Sequence, residues 1–279
     1  MSSQREGFER VIHFTAEVPK VIETSPRQEG PIRMPATLSS RGRSIGGVTM
    51  NAVARFLVRN RGFITLMLCM VVFRSAVADW NVVPTGSMQP TIQIGDRILV
   101  NKAAYDVRLP LTHISLMHLA DPQRGDIVIL DSAAANERLV KRVIGLPGDE
   151  IALRNNVLYI NGHAAQYVAS TASGIHDDEQ SPARYAIESY GAMSHAVRLS
   201  QYMPSVASNF GPVLVPAGQY LLLGDNRDNS EDSRFLGFFP RDEIVGRAHH
   251  VLVSLDPQRH YLPRGQRFGV ALDACCIRG

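Results

Sequence analysis

The 279-residue chain has little cysteine, only a small charge excess and a single long apolar run. Its three cysteines cannot build a disulfide framework, because Cys69 lies inside the apolar run and Cys275 and Cys276 are neighbours, where a bridge would be strained. The formal net charge is +3, and no stripe of Lys and Arg with interleaved aromatic residues marks a nucleic-acid surface. The composition therefore excludes a disulfide-stapled secreted domain and predicts no nucleic-acid partner.

Common catalytic motifs are also absent from the sequence. The histidines show no HxxxH or HExxH spacing for zinc, and the chain has no GxSxG elbow and no Walker loop. The segment "GDNRDN", residues 224–229, superficially resembles a calcium loop but lacks the EF-hand spacing. We therefore expect neither a metal nor another cofactor.

The apolar run "GFITLMLCMVVF" covers residues 62–73. Alone it is too short to span a bilayer, because a spanning helix needs about 17–25 residues. Extended to residue 79 it reaches that length, with Arg74 near its outer end, where a long side chain can reach the lipid headgroups. Trp80 then falls at the interface, where indoles are favoured. We predict one transmembrane signal anchor over residues 62–79.

Charges beside this anchor set its predicted orientation. Arginines crowd residues 50–61, and the positive-inside rule puts this basic flank in the cytoplasm and residues 80–279 outside. Two alternatives stay open: a cleavable signal peptide that ends at "AVA", residues 76–78, and a buried core helix. Residues 1–49 are rich in Pro, Gly, Ser and Arg, and are predicted to be a disordered cytoplasmic tail or an upstream extension from start-site choice.

Beyond Trp80 the pattern is rich in β-strands. Short apolar or alternating runs such as "DRILVNK", "GDIVILDS" and "GQYLLLGD" are bounded by Gly, Pro, Asp and Asn. No helical stripe of about ten residues separates them, which argues against a βαβ sheet. We predict a mainly antiparallel β domain over residues 80–279. An inserted subdomain interrupts it at about 164–212, where the sequence is long, polar and irregular.

Two stretches of this domain could carry a nucleophile and its base. Ser87 stands in "PTGSMQP" just after the anchor, and fits either a surface turn or a nucleophile. Lys141 lies in the strand pattern "RLVKRVIGL", where alternation places it on the same face as Leu139 and Val143. Desolvation there would lower its pKa, as a lysine base requires. The alternative is an edge-strand lysine that blocks aggregation.

A third stretch is the polar segment "GDNRDNSEDSR", residues 224–234. A solvated loop is the simplest interpretation. However, Asp225, Arg227, Asp232 and Arg234 could form alternating ion pairs, and such a network fixes a loop. A rigid polar loop can position catalytic groups.

Together these stretches resemble a known family. "PTGSMQPTIQIGD", "RGDIVIL", "LVKRVIGLPGD" and "GDNRDNSEDSR" are similar, in order and approximate spacing, to the signature boxes of bacterial type I signal peptidase, also called leader peptidase. The resemblance implies a membrane-bound serine endopeptidase that removes signal peptides from exported preproteins after Ala-x-Ala. It also implies a mainly β fold of coiled antiparallel sheets. The best-known Gram-negative members have two membrane segments, whereas this sequence predicts one N-terminal transmembrane helix.

The resemblance also implies roles residue by residue. Ser87 looks like the nucleophile and Lys141 like the general base, with Ser230 orienting the lysine amine by a hydrogen bond. Thr85, a candidate oxyanion donor, departs from the Ser–Gly–Ser that is common in the family. Further support of the dyad is expected from Asp225, Arg227, Asp232 and Arg234. Small pockets for alanine at the −1 and −3 positions of the substrate would be lined by Val83, Pro84, Met88, Leu139 and Val140.

The implied partners are the signal peptides of secreted preproteins, membrane lipid and, transiently, the export translocon. The implied location is the bacterial cytoplasmic membrane, with a single pass, the N-terminus inside and the catalytic domain on the periplasmic side. Two other functions stay open: a related pilin-maturation or plasmid-transfer peptidase, and a non-catalytic membrane-anchored binding domain. A self-cleaving repressor with a Ser–Lys dyad would need a helix-turn-helix before the protease, and residues 1–60 show no such pattern.

Overall fold

The computed structural model describes residues 46–76, 78–109, 112, 114–170, 182–202 and 205–272. The chain divides into two compact units, residues 1–54 and residues 55–279. Most of the predicted disordered tail, residues 1–45, lies outside the described residues.

The described residues form three α-helices. These are α1 (Gly46–Arg59), α2 (Arg61–Ala76) and α3 (Ser233–Leu236). Helix α1 begins before the predicted boundary at residue 50, so that residues 46–49 are helical, and its residues 46–54 are the described part of the first unit.

The predicted anchor over residues 62–79 falls on α2 and on the start of a strand. Helix α2 has 16 residues, and Ala78 and Asp79 already pair with a strand of the main sheet. The helix is therefore shorter than predicted, because the backbone from Ala78 onward takes part in strand pairing. In the part of the chain that the structure describes, no helix is both long enough and apolar enough to cross a membrane.

Strands make up most of the second unit. The first nine are β1 (Ala78–Val82), β2 (Asp96–Asn101), β3 (Asp106–Arg108), β4 (Ser115–His118), β5 (Ile127–Ser132), β6 (Glu137–Gly145), β7 (Glu150–Arg154), β8 (Val157–Ile160) and β9 (His163–Ala164). The later ones are β10 (Gln166–Ser170), β11 (Ala183–Tyr190), β12 (Met193–Ser200), β13 (Phe210–Leu214), β14 (Gln219–Leu223), β15 (Phe239–Pro240), β16 (Ile244–Asp256) and β17 (Leu262–Pro263).

The main sheet has eight strands, in the order β1-β2-β16-β5-β6-β14-β15, with β17 paired to β16. All of its strand pairs are antiparallel. Both of its faces are covered, because Ile127 and Ile129 of β5 belong to one apolar cluster while Val128 and Leu130 belong to another. The prediction of a mainly antiparallel β fold is confirmed.

The predicted insert at about 164–212 contains regular strands where it is described. Strands β10, β11 and β12 form a three-stranded antiparallel sheet, and β13 pairs with β7 in a separate sheet of order β13-β7-β8-β9. The sequence reads as irregular because polar side chains occupy buried positions: Glu188 and His195 alternate with Ala186 and Val197 on the buried side of the hairpin. An alternation that includes charged residues gives no clear hydrophobic period.

Candidate active site

Ser87 lies in a series of turns between β1 and β2. Thr85 and Ser87 do not lie in an extended stretch, because residues 85–91 bend and turn. Gly86 is not among the glycines with a positive φ angle. A Cβ atom there would lie 3.0 Å from Oε1 of Gln89, the end of a flexible side chain that can move aside.

Lys141 is brought to this turn by β6. Its Nζ lies 3.0 Å from Oγ of Ser87, although 54 residues separate the two in the chain. Strand β6 is paired with β5 on one side and with β14 on the other, and the pairing with β14 ends at Arg142. Lys141 therefore lies one residue beyond the pairing with β14, where β6 is paired with β5 and β14 gives way to the polar loop.

The surroundings of Lys141 favour a neutral amine. The side chain is buried, with the residue only 3% exposed, and burial lowers the pKa of the ammonium from its ordinary value of 10.5. The negative charges of Asp232, Glu137 and Glu231 act against this shift, whereas Arg234 acts with it. Within the described residues Lys141 forms no ion pair, so no direct counterion holds its proton.

The Asp232–Arg234 pair lies beside the dyad, as the family pattern implies. Both side chains are fully buried, and the guanidinium binds the carboxylate through two contacts of 2.8 Å. Asp232 also accepts a hydrogen bond from the amide of Gly224 at 3.0 Å. Because Arg234 neutralises Asp232, the carboxylate attracts the ammonium form of Lys141 less strongly than an unpaired carboxylate would. Asp232 can therefore order the loop without holding the proton of Lys141.

Asp225 and Arg227 do not form the predicted pairs within their own loop. Asp225 instead accepts two hydrogen bonds from Arg142, at 2.8 and 2.7 Å, and one from Thr91 at 2.5 Å. Burial alone would raise the pKa of the Asp225 carboxyl, but Arg142, together with His195 and Thr91, outweighs burial, and the pKa is lowered. Arg142 follows Lys141 in β6 and therefore points to the opposite face of the strand.

Arg227 pairs with a residue of the insert. Its Nη2 lies 2.6 Å from Oε1 of Glu188, and neither side chain is exposed. The other carboxylate oxygen of Glu188 accepts a hydrogen bond from the hydroxyl of Tyr167 at 2.5 Å. His195 lies 3.5 Å from Glu188 and 3.6 Å from Asp225. Burial lowers the pKa of His195 to about 4, and Arg142 acts in the same direction.

Asn226 connects this loop directly to the turn that carries Ser87. Its amide donates to the carbonyl of Ser87 at 3.0 Å, and its Nδ2 donates to the carbonyl of Gly86 at 3.0 Å. Sequence analysis gave Asn226 no role. Its place between two ionisable residues in the same motif was the only available signal.

Ser230 lies close to the dyad but does not make the predicted hydrogen bond. Its Oγ and the carbonyl oxygen of Ser87 would both lie within 2.5 Å of a Cβ on Gly224, which explains why a residue without a side chain stands there. The Ser230 hydroxyl is buried and has no hydrogen-bond partner among the described residues.

The residues predicted to bind substrate fall into three settings. Val83 and Met88 are buried in one apolar cluster, against which Val140 packs. Leu139 belongs to a different cluster, with Val128 and Leu130, because alternation along β6 points it to the other face. Pro84 is exposed, as is Thr85.

Metal binding has no support in the described ranges. No group of three or more His, Cys, Asp or Glu residues is arranged there to hold an ion. The polar groups around Ser87 are instead engaged in hydrogen bonds and ion pairs that can position a hydroxyl and an amine.

Comparison with known proteins gives a consistent result. The family described as "Signal peptidase, peptidase S26" matches residues 57–253. Signal peptidase I of Pseudomonas fluorescens is 37% identical over 227 residues, which cover 75% of this chain and 77% of that protein. Signal peptidase I of Pseudomonas aeruginosa is 36% identical over 225 residues, with the same shares covered.

A solved structure of a signal peptidase I from Enterococcus faecalis is 27% identical and covers 46% of this chain and 97% of that one. Its TM-score of 0.29 supports no conclusion about the fold. The family match and the Pseudomonas relatives, which extend over most of the chain, decide the assignment. The chain therefore belongs to the signal peptidase family, the S26 peptidases, and is a serine peptidase that cleaves signal peptides.

Proposed function

We propose that Ser87 is the nucleophile and Lys141 the general base of this peptidase. The observation that carries the proposal is the 3.0 Å contact between the serine hydroxyl and a buried lysine amine that has no ion-pair partner in the described part of the chain. A lysine can act as a base only in its neutral form. Burial lowers the pKa of Lys141 and therefore increases the fraction of molecules in which the amine is neutral.

In the reactive arrangement the hydroxyl of Ser87 donates its hydrogen bond to Nζ of Lys141. As Oγ attacks the scissile carbonyl, the proton passes to Nζ, and Lys141 then gives a proton to the leaving amine. The resulting acyl-enzyme is hydrolysed when the neutral amine activates a water molecule. We assign to Ser230, whose buried hydroxyl is unpartnered among the described residues, the role of accepting a hydrogen bond from an N–H of Lys141 during the reaction, which would orient the lone pair of Nζ.

The negative charge that develops on the substrate oxygen needs donors. The amide of Ser87 and the hydroxyl of Thr85 are our candidates, since Thr85 lies two residues before the nucleophile in the same bend and is exposed. The two hydrogen bonds from Asn226 hold the carbonyls of Gly86 and Ser87, and thereby keep the peptide plane of the nucleophile fixed.

Specificity for Ala-x-Ala would follow from small apolar pockets. Val83, Met88 and Val140 pack in one cluster near the turn, and side chains of this kind leave room for a methyl group but not for a large residue. Leu139 packs in the other cluster, on the face of β6 that also carries Lys141.

We further propose that the N-terminal apolar segment anchors the enzyme in the bacterial cytoplasmic membrane, with the N-terminus inside and the β domain on the periplasmic side. The arginines of residues 50–61 support this orientation. Membrane lipid and, transiently, the export translocon would then be its partners.

The direct test is to incubate the detergent-solubilised full chain with a preprotein and to locate the cut by mass spectrometry. We expect one cut directly after Ala-x-Ala in the wild type and none in Ser87→Ala. A cut elsewhere would refute the specificity, and cleavage by Ser87→Ala would refute the nucleophile.

A further inference from the structure

The loop that holds the nucleophile is itself held by the inserted sheet. On the side away from Ser87, the amide of Arg198 in β12 donates to the carbonyl of Asp225 at 2.9 Å, and the amide of Arg227 donates to the carbonyl of Arg198 at 3.0 Å. These bonds form a parallel bridge between Arg198 and Asn226. Asn226 therefore lies between the turn of the nucleophile and a strand of the insert.

A buried ion pair reinforces this junction. Glu188 of β11 and Arg227 are both fully buried, and their contact is 2.6 Å. Nε and Nη1 of Arg227 have no hydrogen-bond partner within the described residues. Because a buried cation must be paired to remain charged without a large penalty, Glu188 determines where the guanidinium of Arg227 can lie.

A second carboxylate of the loop joins it to three other segments. Asp228 accepts hydrogen bonds from Nδ2 of Asn156 at 3.0 and 3.1 Å, from the amide of Ser200 at 2.8 Å and from the amide of Ser205 at 2.7 Å. The end of β12 and the residues after it are thus tied to the same loop.

We propose that the sheet β10–β12 is a positioning element for catalysis, and that Glu188, acting through Arg227, is its positioning residue. The buried pair fixes the backbone at Asn226 and Arg227, and Asn226 in turn fixes the carbonyls on either side of the nucleophile's amide nitrogen. The inference rests on the proposed function in that it takes Ser87 as the nucleophile. Glu188 does not touch the substrate.

Two variants of Glu188 test this role. Glu188→Ala leaves Arg227 buried without its partner, and the released loop should lower kcat about 10- to 100-fold, since displacement of a catalytic group by about 1 Å can have an effect of this size. Glu188→Gln keeps an acceptor for Arg227 and should lose less. KM should change by less than about twofold in both variants. The reason is that the contacts that bind the substrate equally well in its ground state and its transition state are unaffected.

A matched control comes from another buried carboxylate. Asp106 pairs with Arg241 at 2.9 Å and with Arg108 at 3.4 Å, and none of its partners belongs to the loop. Asp106→Ala should lower stability while leaving kcat near that of the wild type. Glu188→Gln keeps the test usable if Glu188→Ala does not fold.

Hydrogen exchange of the full chain in detergent provides a readout that does not depend on activity. In Glu188→Ala, peptides that cover residues 224–230 and 85–89 should exchange at least about tenfold faster, while peptides from β5 and β16 keep their wild-type rates. Glu188→Gln should show the same pattern to a smaller extent.

Three results would overturn the proposal: wild-type kcat in both folded variants, a loss confined to KM, or faster exchange throughout the main sheet, which would make Glu188 a residue of general stability. If the wild type fails to cut any preprotein, the proposed function fails instead. The exchange measurement would still decide whether Glu188 holds the loop.

Discussion

Lys141 and Arg142 are adjacent cations on one buried strand, and their surroundings are opposite. Lys141 is buried without an ion pair in the described structure and has only the hydroxyl of Ser87 as its hydrogen-bond partner. Arg142 donates two short hydrogen bonds to Asp225 and a third to the carbonyl of Gly125. The alternation of β6 sends one cation to each face of the sheet.

This difference in surroundings suits two different roles, that of a structural residue for Arg142 and that of a base for Lys141. A cation with a carboxylate partner keeps its charge and its position, which suits a structural residue. A cation deprived of a partner loses its proton more readily, which suits a base. The residue types fit as well, because arginine stays protonated under all ordinary conditions while the pKa of lysine shifts readily on burial.

The largest expected effect on activity comes from replacing Lys141 or Ser87. Lys141→Met and Ser87→Ala should each lower kcat by about 10⁴-fold or more, and the double variant should be no worse than either one because the two residues act as a unit. Lys141→Arg should be equally inactive, since a guanidinium cannot accept a proton. Preprotein cleavage in detergent measures all four variants, and appreciable activity in Lys141→Arg would contradict the distinction drawn between the two cations.

Removing the paired cation should reduce stability instead. Arg142→Met leaves the buried carboxylate of Asp225 without its partner, which costs about 3–5 kcal/mol. Because Arg142 lowers the pKa of Asp225, its stabilisation is present above the ordinary pKa of 3.8 and is lost as the pH falls through the lower, folded-state value.

Denaturant unfolding at neutral and at acidic pH checks this expectation for Arg142. The gap in free energy of unfolding between wild type and Arg142→Met should be large near neutral pH and should become smaller in acid. Arg142→Lys, which keeps the charge, should lose less stability. A gap that does not depend on pH would mean that Arg142 acts by packing rather than by its charge.

A smaller kinetic effect is expected at Thr85, our candidate donor to the developing charge, which does not exchange a proton. Thr85→Val keeps the shape and loses the hydroxyl, and should lower kcat about 10²- to 10³-fold with little change in KM. Thr85→Ser keeps the donor and should retain most of the activity. If the valine variant is nearly as active as the wild type while the serine variant is impaired, Thr85 is a packing residue.

The smallest expected effect is a gain. Because burial lowers the pKa of Lys141 below 10.5, the unfolded state binds its proton more readily, and the residue destabilises the fold at neutral pH. Lys141→Met should therefore raise the free energy of unfolding by about 1–2 kcal/mol at neutral pH, with the gain shrinking as the pH approaches 10.5.

The matched control for this gain is Lys102→Met. Lys102 is ion-paired with Asp79 at 3.0 Å, so its loss should bring no gain. A Lys141→Met protein that is less stable than the wild type at every pH would contradict the claim that the amine is an unfavourable buried group.

Much of the fold and the dyad could be predicted from the sequence. The alternating runs predicted the antiparallel strands, because a buried sheet imposes a period of two on apolar residues. Ser87 and Lys141 became candidates through the resemblance of their segments to the family's signature boxes, because the local patterns alone also fitted a surface turn and an edge-strand lysine. Of the ion pairs predicted within the polar loop, the one between Asp232 and Arg234 is present in the structure.

The rest of the site depends on contacts that no local pattern encodes. Asp225 meets Arg142 across 83 residues, and Arg227 meets Glu188 across 39, so a view restricted to the loop paired these residues with each other. The sheet β10–β12 was missed because Glu188 and His195 occupy buried positions that a strand usually fills with apolar residues. The buried polar side chains that stabilise the loop therefore obscured the strand pattern of the sheet in which they lie.

The most direct test of Lys141 as the general base is to measure the titration of its amine. The chain has three lysines, Lys20, Lys102 and Lys141, so selective labelling with ¹³Cε-lysine yields few NMR signals, and the one absent from Lys141→Met identifies its source. We predict that this signal titrates below 10.5 and that kcat/KM rises with pH through the same midpoint. A Lys141 signal that titrates at or above 10.5, or a rate that does not vary from about pH 5 to about pH 9, would contradict the assignment of Lys141 as the base.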